Sequence, residues 1–377
     1  MPANIIIIFS KAIILIICSA QAVTAQSVTD VLTDSTYTAA YKNINTILPA
    51  IGATPETGLL FGGVVMRQSK PGNAGADTRS SVVLASAIYT TKNQLLIGLS
   101  PYIIFPEERW IMEGGYQYQR YPDSFWGIGK NSDSSDELIY EYRQWELVQS
   151  VQRKIGINMF MGPIVRWSRI SDVEFSDTDG NLVSKPRVNG TAGSISSGAG
   201  FIYQWDARNS VLTPTRNHLV KVMVMSYPGF MGTTHPYIIS MIDKRKYFDF
   251  QNDGKRVAAF NLLSVFTSGN PAFTDYPSLG GESILRGYYY GRFRDNNTLQ
   301  IQAEYRQYLF WRLGITSFIS AGTMWSRFHE FSLSDPKNAG GFGLRFNLNK
   351  NDTTNLRIDY GVGKNVSGFY LTFGEAF

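Results

Sequence analysis

The sequence predicts an all-β protein that forms a transmembrane antiparallel β-barrel. Only 17% of the 377 residues are charged, against roughly 25% in an ordinary soluble domain. The chain is rich in glycine and aromatic residues and has one cysteine, which excludes a disordered chain and a disulfide-stabilised scaffold. Beyond the N-terminal segment no apolar run approaches the ~20 residues of a membrane-spanning helix. The membrane-type pattern that remains is one of alternating β-strands.

Residues 1–25 are predicted to be a secretory signal peptide. Two short apolar stretches are followed by small residues at Ala-x-Ala-like positions. We expect cleavage after Ala25, with Ala22 as the alternative. Cys18 lies inside this segment behind a large residue, so neither a lipid anchor nor a cysteine in the mature chain is expected. Residues 26–55, which are polar and rich in threonine, are predicted to form a short periplasmic segment.

The barrel is predicted to occupy residues 56–377, because apolar and polar side chains alternate there at a period of two. In 299–306 apolar residues alternate with glutamine, glutamate and arginine, and 355–363 and 369–374 show the same pattern. One face then contacts lipid and the other lines a polar lumen, whereas a soluble sandwich would cover the apolar face with a second sheet. Seven tryptophans near predicted strand ends suit the aromatic girdles of a membrane barrel. They are Trp110, Trp126, Trp145, Trp167, Trp205, Trp311 and Trp325.

We expect sixteen strands, because ~20 residues for each strand and turn suit spans of about 9–11 residues. The predicted segments are 56–68, 79–91, 93–104, 109–121, 124–131, 137–152, 154–170, 194–206, 217–227, 236–249, 255–268, 297–310, 312–325, 339–348, 354–363 and 366–377. The longest polar connections, 171–193 and 269–296, follow strands 7 and 11. Both strands run outward, which places both connections outside the cell.

The connection between strands 11 and 12 contains the run Tyr-Pro-Ser-Leu-Gly-Gly-Glu-Ser-Ile-Leu-Arg-Gly-Tyr at 276–288. This run resembles the inward-folded loop of the BamA/TamA superfamily of outer-membrane assembly factors. Further stretches are similar to family motifs in the same order along the chain, at 55–58, 205–215, 304–306 and 356–361. The resemblance covers most of 55–377. It implies a barrel-only member, because 26–55 is too short for the periplasmic POTRA domains of BamA-like proteins.

The resemblance implies that the motif residues of this loop lie in the barrel lumen. These residues are Gly280, Gly281, Arg286, Gly287 and Tyr288. An arginine carried into a barrel needs a carboxylate partner, because an unpaired buried charge is costly. Glu304 faces the lumen by its place in the alternation and could form a bidentate pair with Arg286. Strand 13 has Ser320 where the family has an aspartate, so Asp359 is the second candidate partner.

The function implied by the resemblance is the insertion or translocation of other proteins at the bacterial outer membrane. The route in that family is a seam between the first and last strands, here predicted at 56–68 and 366–377, whose exposed edges could pair with an incoming strand. The predicted gate residues are Gly58, Phe61, Phe369, Phe373 and Phe377. The expected partners are outer-membrane lipid and other outer-membrane or periplasmic proteins. A passive pore, or an accessory subunit of a larger complex, is the alternative.

An outer-membrane barrel enzyme is the third hypothesis, and we expect no enzymatic activity. The sequence has no Gly-x-Ser-x-Gly elbow and no paired histidines at zinc-site spacing. Its three histidines are His218, His235 and His329. The glycine-rich segments 127–130 and 361–364 lack the rest of a phosphate loop, and 177–181 lacks the closing glutamate of a calcium loop. We therefore expect no cofactor or metal ion, and the dispersed basic residues predict no nucleic-acid partner.

Overall fold

Sixteen antiparallel strands close into one barrel, which confirms the predicted fold class. The computed structural model describes residues 44–69, 81–130, 132–211, 213–349 and 352–377. The predicted signal peptide and residues 26–43 lie outside these ranges. The barrel strands are β1 (Ile44–Thr54), β2 (Gly58–Ser69), β3 (Ser81–Thr90), β4 (Leu95–Ile104), β5 (Trp110–Phe125), β6 (Leu138–Gly156), β7 (Met159–Ser176), β8 (Ser194–Asp206), β9 (Asn217–Tyr227), β10 (Tyr237–Asp249), β11 (Arg256–Gly269), β14 (Asn297–Phe310), β15 (Leu313–Trp325), β16 (Lys337–Asn349), β17 (Asp352–Gly363) and β18 (Val366–Phe373). Two short strands, β12 (Ser278–Leu279) and β13 (Phe293–Arg294), pair within the connection between β11 and β14.

The alternation in sequence becomes an apolar outer wall and a polar lumen. On β14, Ile301 is 49% and Tyr305 41% exposed, whereas Gln302 and Glu304 are each 3% exposed. An apolar face that the protein leaves uncovered, opposite a buried polar face, is the arrangement of a membrane barrel. No helix in the described part of the chain is long and apolar enough to cross a membrane.

The start of the barrel and one predicted strand were wrong. β1 lies within 26–55, so the first barrel strand precedes the predicted start at residue 56. Its inner face carries the small residues Ala50 and Gly52, so the two faces of β1 differ too little in polarity to show an alternation. The predicted strand 124–131 is the end of β5 followed by a loop. The two errors offset each other, so the strand count remains sixteen. The two longest connections still follow the seventh and eleventh strands and lie at the same end of the barrel.

Connections at the two ends of the barrel differ in length. One end, called here the long-loop end, carries 126–137, 177–193, 228–236, 270–296 and 326–336, together with the short connections 55–57, 91–94 and 364–365. The other, the short-turn end, carries 105–109, 157–158, 207–216, 250–255 and 311–312. The connection 270–296, called here the inward loop, folds into the barrel, where Leu279, Leu285 and Arg286 are each 0% exposed.

The strand ladder is shortest where the barrel closes. In the described residues β1 and β18 share one register pair, Ala53 with Leu371, whereas every other pair of neighbouring barrel strands shares at least eight. β18 ends at Phe373, and Gly374 then adopts a φ of +78°. The chain leaves the wall at this glycine, so the 44–50 part of β1 has no register partner in β18. We call this closure the seam.

Candidate functional site: the inward loop and the seam

Arg286 lies at the centre of a buried ion cluster between the inward loop and the wall. One guanidinium nitrogen, Nη2, donates to Glu304 on β14, and the other, Nη1, donates to Asp359 on β17. The guanidinium carbon lies 3.5 Å from the ring centroid of Phe318, so the planar group also rests on an aromatic face. Arg286, Glu304 and Asp359 all have side chains that are 0% exposed. The loop is thus tied to two strands through one side chain.

Each carboxylate of this cluster is shared with a second arginine from the wall. The other oxygen of Glu304 accepts from Arg306 Nε at 2.6 Å, and the other oxygen of Asp359 accepts from Arg345 Nη1 at 2.5 Å. Glu375, just beyond β18, accepts from Arg345 Nε at 2.7 Å. Opposite charges therefore alternate through the cluster, which is the condition under which buried charges are tolerated.

Glycines let the loop backbone lie directly on β17. A Cβ at Gly361 would lie 2.5 Å from the carbonyl carbon of Arg286, and a Cβ at Gly287 would lie 2.9 Å from the amide nitrogen of Val362. Gly287 also has a φ of +119°, which L-residues rarely adopt. A Cβ at Gly363 would lie 2.5 Å from the Tyr288 ring. The glycine-rich segment 361–364, which superficially resembles a phosphate loop, is therefore the part of β17 on which the inward loop packs.

A second set of contacts ties the loop to the opposite wall. Arg166 on β7 donates to Glu146 on β6 at 2.7 Å and to Asp275 of the loop at 3.0 Å. Arg294 Nη2 of the loop lies 3.7 Å from Asp123 Oδ2 on β5. The inward loop thus spans the lumen from β5–β7 to β14–β17. Sequence reasoning missed this second anchor, because the lumen faces of β6 and β7 also carry apolar residues such as Val148 and Ile164, so polarity does not mark Glu146 and Arg166 as lumen residues.

The loop also contacts both sides of the seam. The Gly287 N–H donates to the Tyr370 hydroxyl of β18 at 2.9 Å, and Tyr370 is 0% exposed. The Tyr290 N–H donates to the Glu56 carboxylate, in the turn between β1 and β2, at 2.6 Å. Burial raises the pKa of Glu56, and this hydrogen bond opposes that rise. One loop segment therefore contacts β18 on one side of the barrel closure and the β1–β2 turn on the other.

The remaining motif residues shape the loop. Gly280 and Gly281 have φ values of +95° and +112°, and they follow β12 directly. Gly281 N–H donates to the carbonyl of Tyr288 at 3.1 Å, and the Tyr288 hydroxyl accepts from the Lys364 N–H at 3.0 Å. Trp126, predicted to lie in a girdle, is instead buried, and its ring centroid lies 5.3 Å from that of Tyr289.

Three of the predicted gate residues lie elsewhere than in the two seam strands. Gly58 and Phe61 belong to β2, the second barrel strand. Phe377 lies beyond the end of β18 and is 4% exposed in the lumen, where its carbonyl accepts from Arg306 at 3.1 Å. Phe369 and Phe373 do lie on β18. Gly58 and Phe61 fall on β2 because β1 precedes the predicted start of the barrel. Phe377 leaves the wall because the left-handed turn at Gly374 ends β18 although the alternation continues.

The inner part of the loop faces a cavity of about 190 Å³ in the lumen. Glu282 of the loop lines this cavity, and burial raises its pKa to about 7, although Arg357 opposes the rise. The Oε2 atom of Glu282 is buried and has no hydrogen-bond partner in the described structure. The three histidines lie on separate elements, namely β9, the connection 228–236 and the connection 326–336.

An Omp85 superfamily domain matches residues 96–377. Among solved structures, the chain is similar to BamA from Haemophilus ducreyi lacking POTRA domains 1–3, with 12% identity, a TM-score of 0.61, and coverage of 88% of this chain and 70% of that one. It is also similar to CdiB from Acinetobacter baumannii, with 12% identity, a TM-score of 0.53, and coverage of 88% and 65%. For CdiB from Escherichia coli the identity is 10%, the TM-score 0.55 and the coverage 87% and 62%. No curated protein matches the chain.

At these identities the structural similarities show the fold alone, and the chain spans less than two thirds of either CdiB chain. The domain match shows the family as well as the fold, because it runs from β4 to the last described residue and includes the inward loop and β18. It indicates a location in the outer membrane, and the described residues contain no POTRA domain. The chain therefore belongs to the Omp85 superfamily, the family-level assignment that the motif at 276–288 predicted.

Proposed function

We propose that the protein inserts other proteins into the outer membrane, or translocates them across it, by pairing a client strand with the open edge of β1. The observation that carries the proposal is the seam, where β1 and β18 share one register pair. An unpaired strand edge presents a row of N–H and C=O groups that another chain can extend. The family supports the same class of function, which involves no enzymatic chemistry.

The seam has fewer backbone hydrogen bonds than the rest of the ladder. A backbone hydrogen bond contributes about 0.5–1.5 kcal/mol net, so an interface with one register pair opens at much lower cost than one with eight or more. An incoming strand would supply the hydrogen bonds that β18 does not give to 44–50. Opening elsewhere in the wall would break a complete ladder first.

A disulfide across the seam tests this proposal. Ala53 and Leu371 lie opposite each other in an antiparallel pair, where Cα atoms are about 4.5–5.5 Å apart and a disulfide fits. Cys18, the single cysteine, is replaced by serine in every variant. We expect oxidised Ala53→Cys/Leu371→Cys protein in liposomes to lose at least about tenfold in the rate at which an added unfolded outer-membrane barrel becomes protease-resistant, and reduction to restore it.

The matched control is Ala85→Cys/Leu99→Cys, another alanine–leucine pair on the outer face, in the complete ladder between β3 and β4. Oxidation of this pair should leave the rate unchanged. Equal rates for the oxidised and reduced seam pair, with the disulfide verified by mass, would refute the proposal.

An accessory subunit of a larger complex is the second candidate. It is favoured by the described residues being barrel and connections alone, because a separate protein would then have to deliver clients. Activity of the purified chain in the liposome assay would exclude dependence on a partner. A passive wide pore is disfavoured, because the inward loop crosses the lumen from wall to wall.

A further inference from the structure

Two lysines lie on the lipid-facing side of the barrel wall. On β10, Ile242 and Phe248 are 39% and 48% exposed on the outer face, whereas Asp243 is buried in the lumen. Lys244 and Lys246 share the outer face with Ile242 and Phe248. Charged residues on this face of a barrel are destabilising at mid-membrane and nearly neutral at the interface, so their position calls for a partner or a nearby headgroup layer.

No described acidic side chain pairs with either lysine. Lys246 Nζ lies 5.2 Å from the centroid of the Phe248 ring, and within the described ranges neither ammonium group lies within salt-bridge distance of a carboxylate. Their outward-facing register neighbours on β9 and β11 are Val220, His218, Leu262 and Phe260. The wall thus presents two positive charges among apolar or aromatic neighbours, which the protein itself does not neutralise.

An apolar groove begins beside these lysines. Its volume is about 600 Å³, within the ~300–1,000 Å³ of typical ligand pockets. Bulky apolar side chains and small alanines line it, and the lysines stand at one edge. The apolar lining residues on the outer face are Phe260, Leu262, Ile301, Ala303, Ile319 and Ala321, and the exposed Asn338 lies on β16 at the side away from the lysines.

The groove climbs from one membrane interface toward the middle of the membrane. The register pairs run from Lys246 to Phe260, then to Ala303, and then to Ile319. Lys246 lies near the short-turn end of β10, whereas Ile319 lies in the middle of β15. An extended apolar ligand in this groove would therefore have its polar end at the lysines and its apolar end in the hydrocarbon.

We propose that this groove is a binding site for an anionic phospholipid of the leaflet at the short-turn end. The phosphate is held by Lys244 and Lys246, and one acyl chain lies over Ala303 and Ala321. The charge selects an anionic headgroup, since a zwitterionic one brings a compensating positive group. The proposal is independent of the insertion activity, because it concerns β10–β15 and not the seam.

The test uses phosphatidylglycerol and phosphatidylcholine with identical acyl chains, each titrated into the purified barrel in neutral detergent micelles. Bound lipid is counted by native mass spectrometry, and folding is verified by the heat-dependent mobility of the barrel in gels. We expect wild-type protein to bind phosphatidylglycerol about tenfold more tightly than phosphatidylcholine, from the attraction of two lysines to an anionic lipid. Lys244→Gln/Lys246→Gln should bind both lipids equally.

Arg153→Gln/Lys154→Gln is the charge-matched control, because both residues are exposed near the short-turn end of β6. It should retain the preference for phosphatidylglycerol. Ala321→Phe should weaken the binding of both lipids, because the larger side chain fills the groove. Equal binding of the two lipids by wild-type protein, or equal losses in the two double variants, overturns the proposal. Loss of a dimer in Ala321→Phe with lipid binding unchanged would instead assign the groove to a second copy of the chain.

Discussion

Replacement of Gly361 by alanine is expected to release the inward loop from the wall. A Cβ at this position would lie 2.5 Å from the carbonyl carbon of Arg286 and 2.8 Å from the amide nitrogen of Gly287. Both atoms belong to the loop backbone, so the clash is relieved only if the loop moves. Overpacking of this kind costs about 1–3 kcal/mol. Because about 1.4 kcal/mol is a factor of ten, the released population should rise about 5- to 150-fold.

Limited trypsin digestion in detergent micelles measures this population. Arg286 and Arg294 are 0% and 2% exposed, so trypsin reaches the peptide bonds after them only when the inward loop moves away from the barrel wall. Lys255 has a side chain that is 58% exposed, and cleavage after it is the internal reference. The ratio of loop cleavage to reference cleavage should rise in Gly361→Ala by the factor given above.

Gly340→Ala is the matched control for Gly361→Ala. Gly340 lies on the neighbouring strand β16, where a Cβ would come no closer than 3.3 Å to the Phe318 carbonyl oxygen. Its ratio of loop to reference cleavage should stay at the wild-type value. If Gly361→Ala and Gly340→Ala give the same ratio while both barrels are folded, the backbone contact does not hold the loop, and this reasoning is wrong.

Two further substitutions report on the same loop. Tyr370→Phe removes the hydroxyl that accepts from the Gly287 N–H. Because an unsatisfied buried donor costs about 1–3 kcal/mol, loop cleavage should rise severalfold. Tyr360→Phe, at an outward-facing tyrosine of the neighbouring strand, should leave loop cleavage unchanged. Burial raises the pKa of Glu282 from 4.5 to about 7, so the buried loop favours the protonated carboxyl group. The stability that this protonation gives the loop is complete below about pH 4.5 and is lost as the pH rises through about 7. Reference-normalised loop cleavage should therefore be higher at pH 8 than at pH 6 in wild-type protein, and Glu282→Gln should remove the difference; an unchanged pH dependence in Glu282→Gln would contradict this assignment.

The sequence predicts most of the wall because the two faces of most strands differ strongly in polarity. β14 is an example, since its inner face carries Gln302 and Glu304 and its outer face Ile301 and Tyr305. β1 was missed because its inner face carries alanine and glycine. The segment 124–131, predicted to be a strand, contains Trp126, whose ring packs on Tyr289 of the inward loop. That contact is tertiary and leaves no local periodicity.

The residues of the candidate site were predictable in part, and for a similar reason. Glu304 and Asp359 could be assigned to the lumen because each stands at a polar phase of an alternating strand. Glu375 could not, because the alternation at 369–374 gives no sign that β18 ends at Phe373. The role of Gly361 depends on a backbone contact with a loop distant in sequence, which no single-strand pattern contains.

The distribution of loop contacts indicates which side of the seam opens more easily. On the β18 side the loop is tied through the Arg286 cluster, the backbone contact at Gly361 and the hydrogen bond to Tyr370. On the β1 side the tie from the loop to the β1–β2 turn is the hydrogen bond from the Tyr290 N–H to Glu56. Breaking one hydrogen bond costs less than breaking a buried ion cluster. We therefore expect the hairpin β1–β2 to move away while β18 stays with the loop, which leaves the edge of β1 free to receive a client strand.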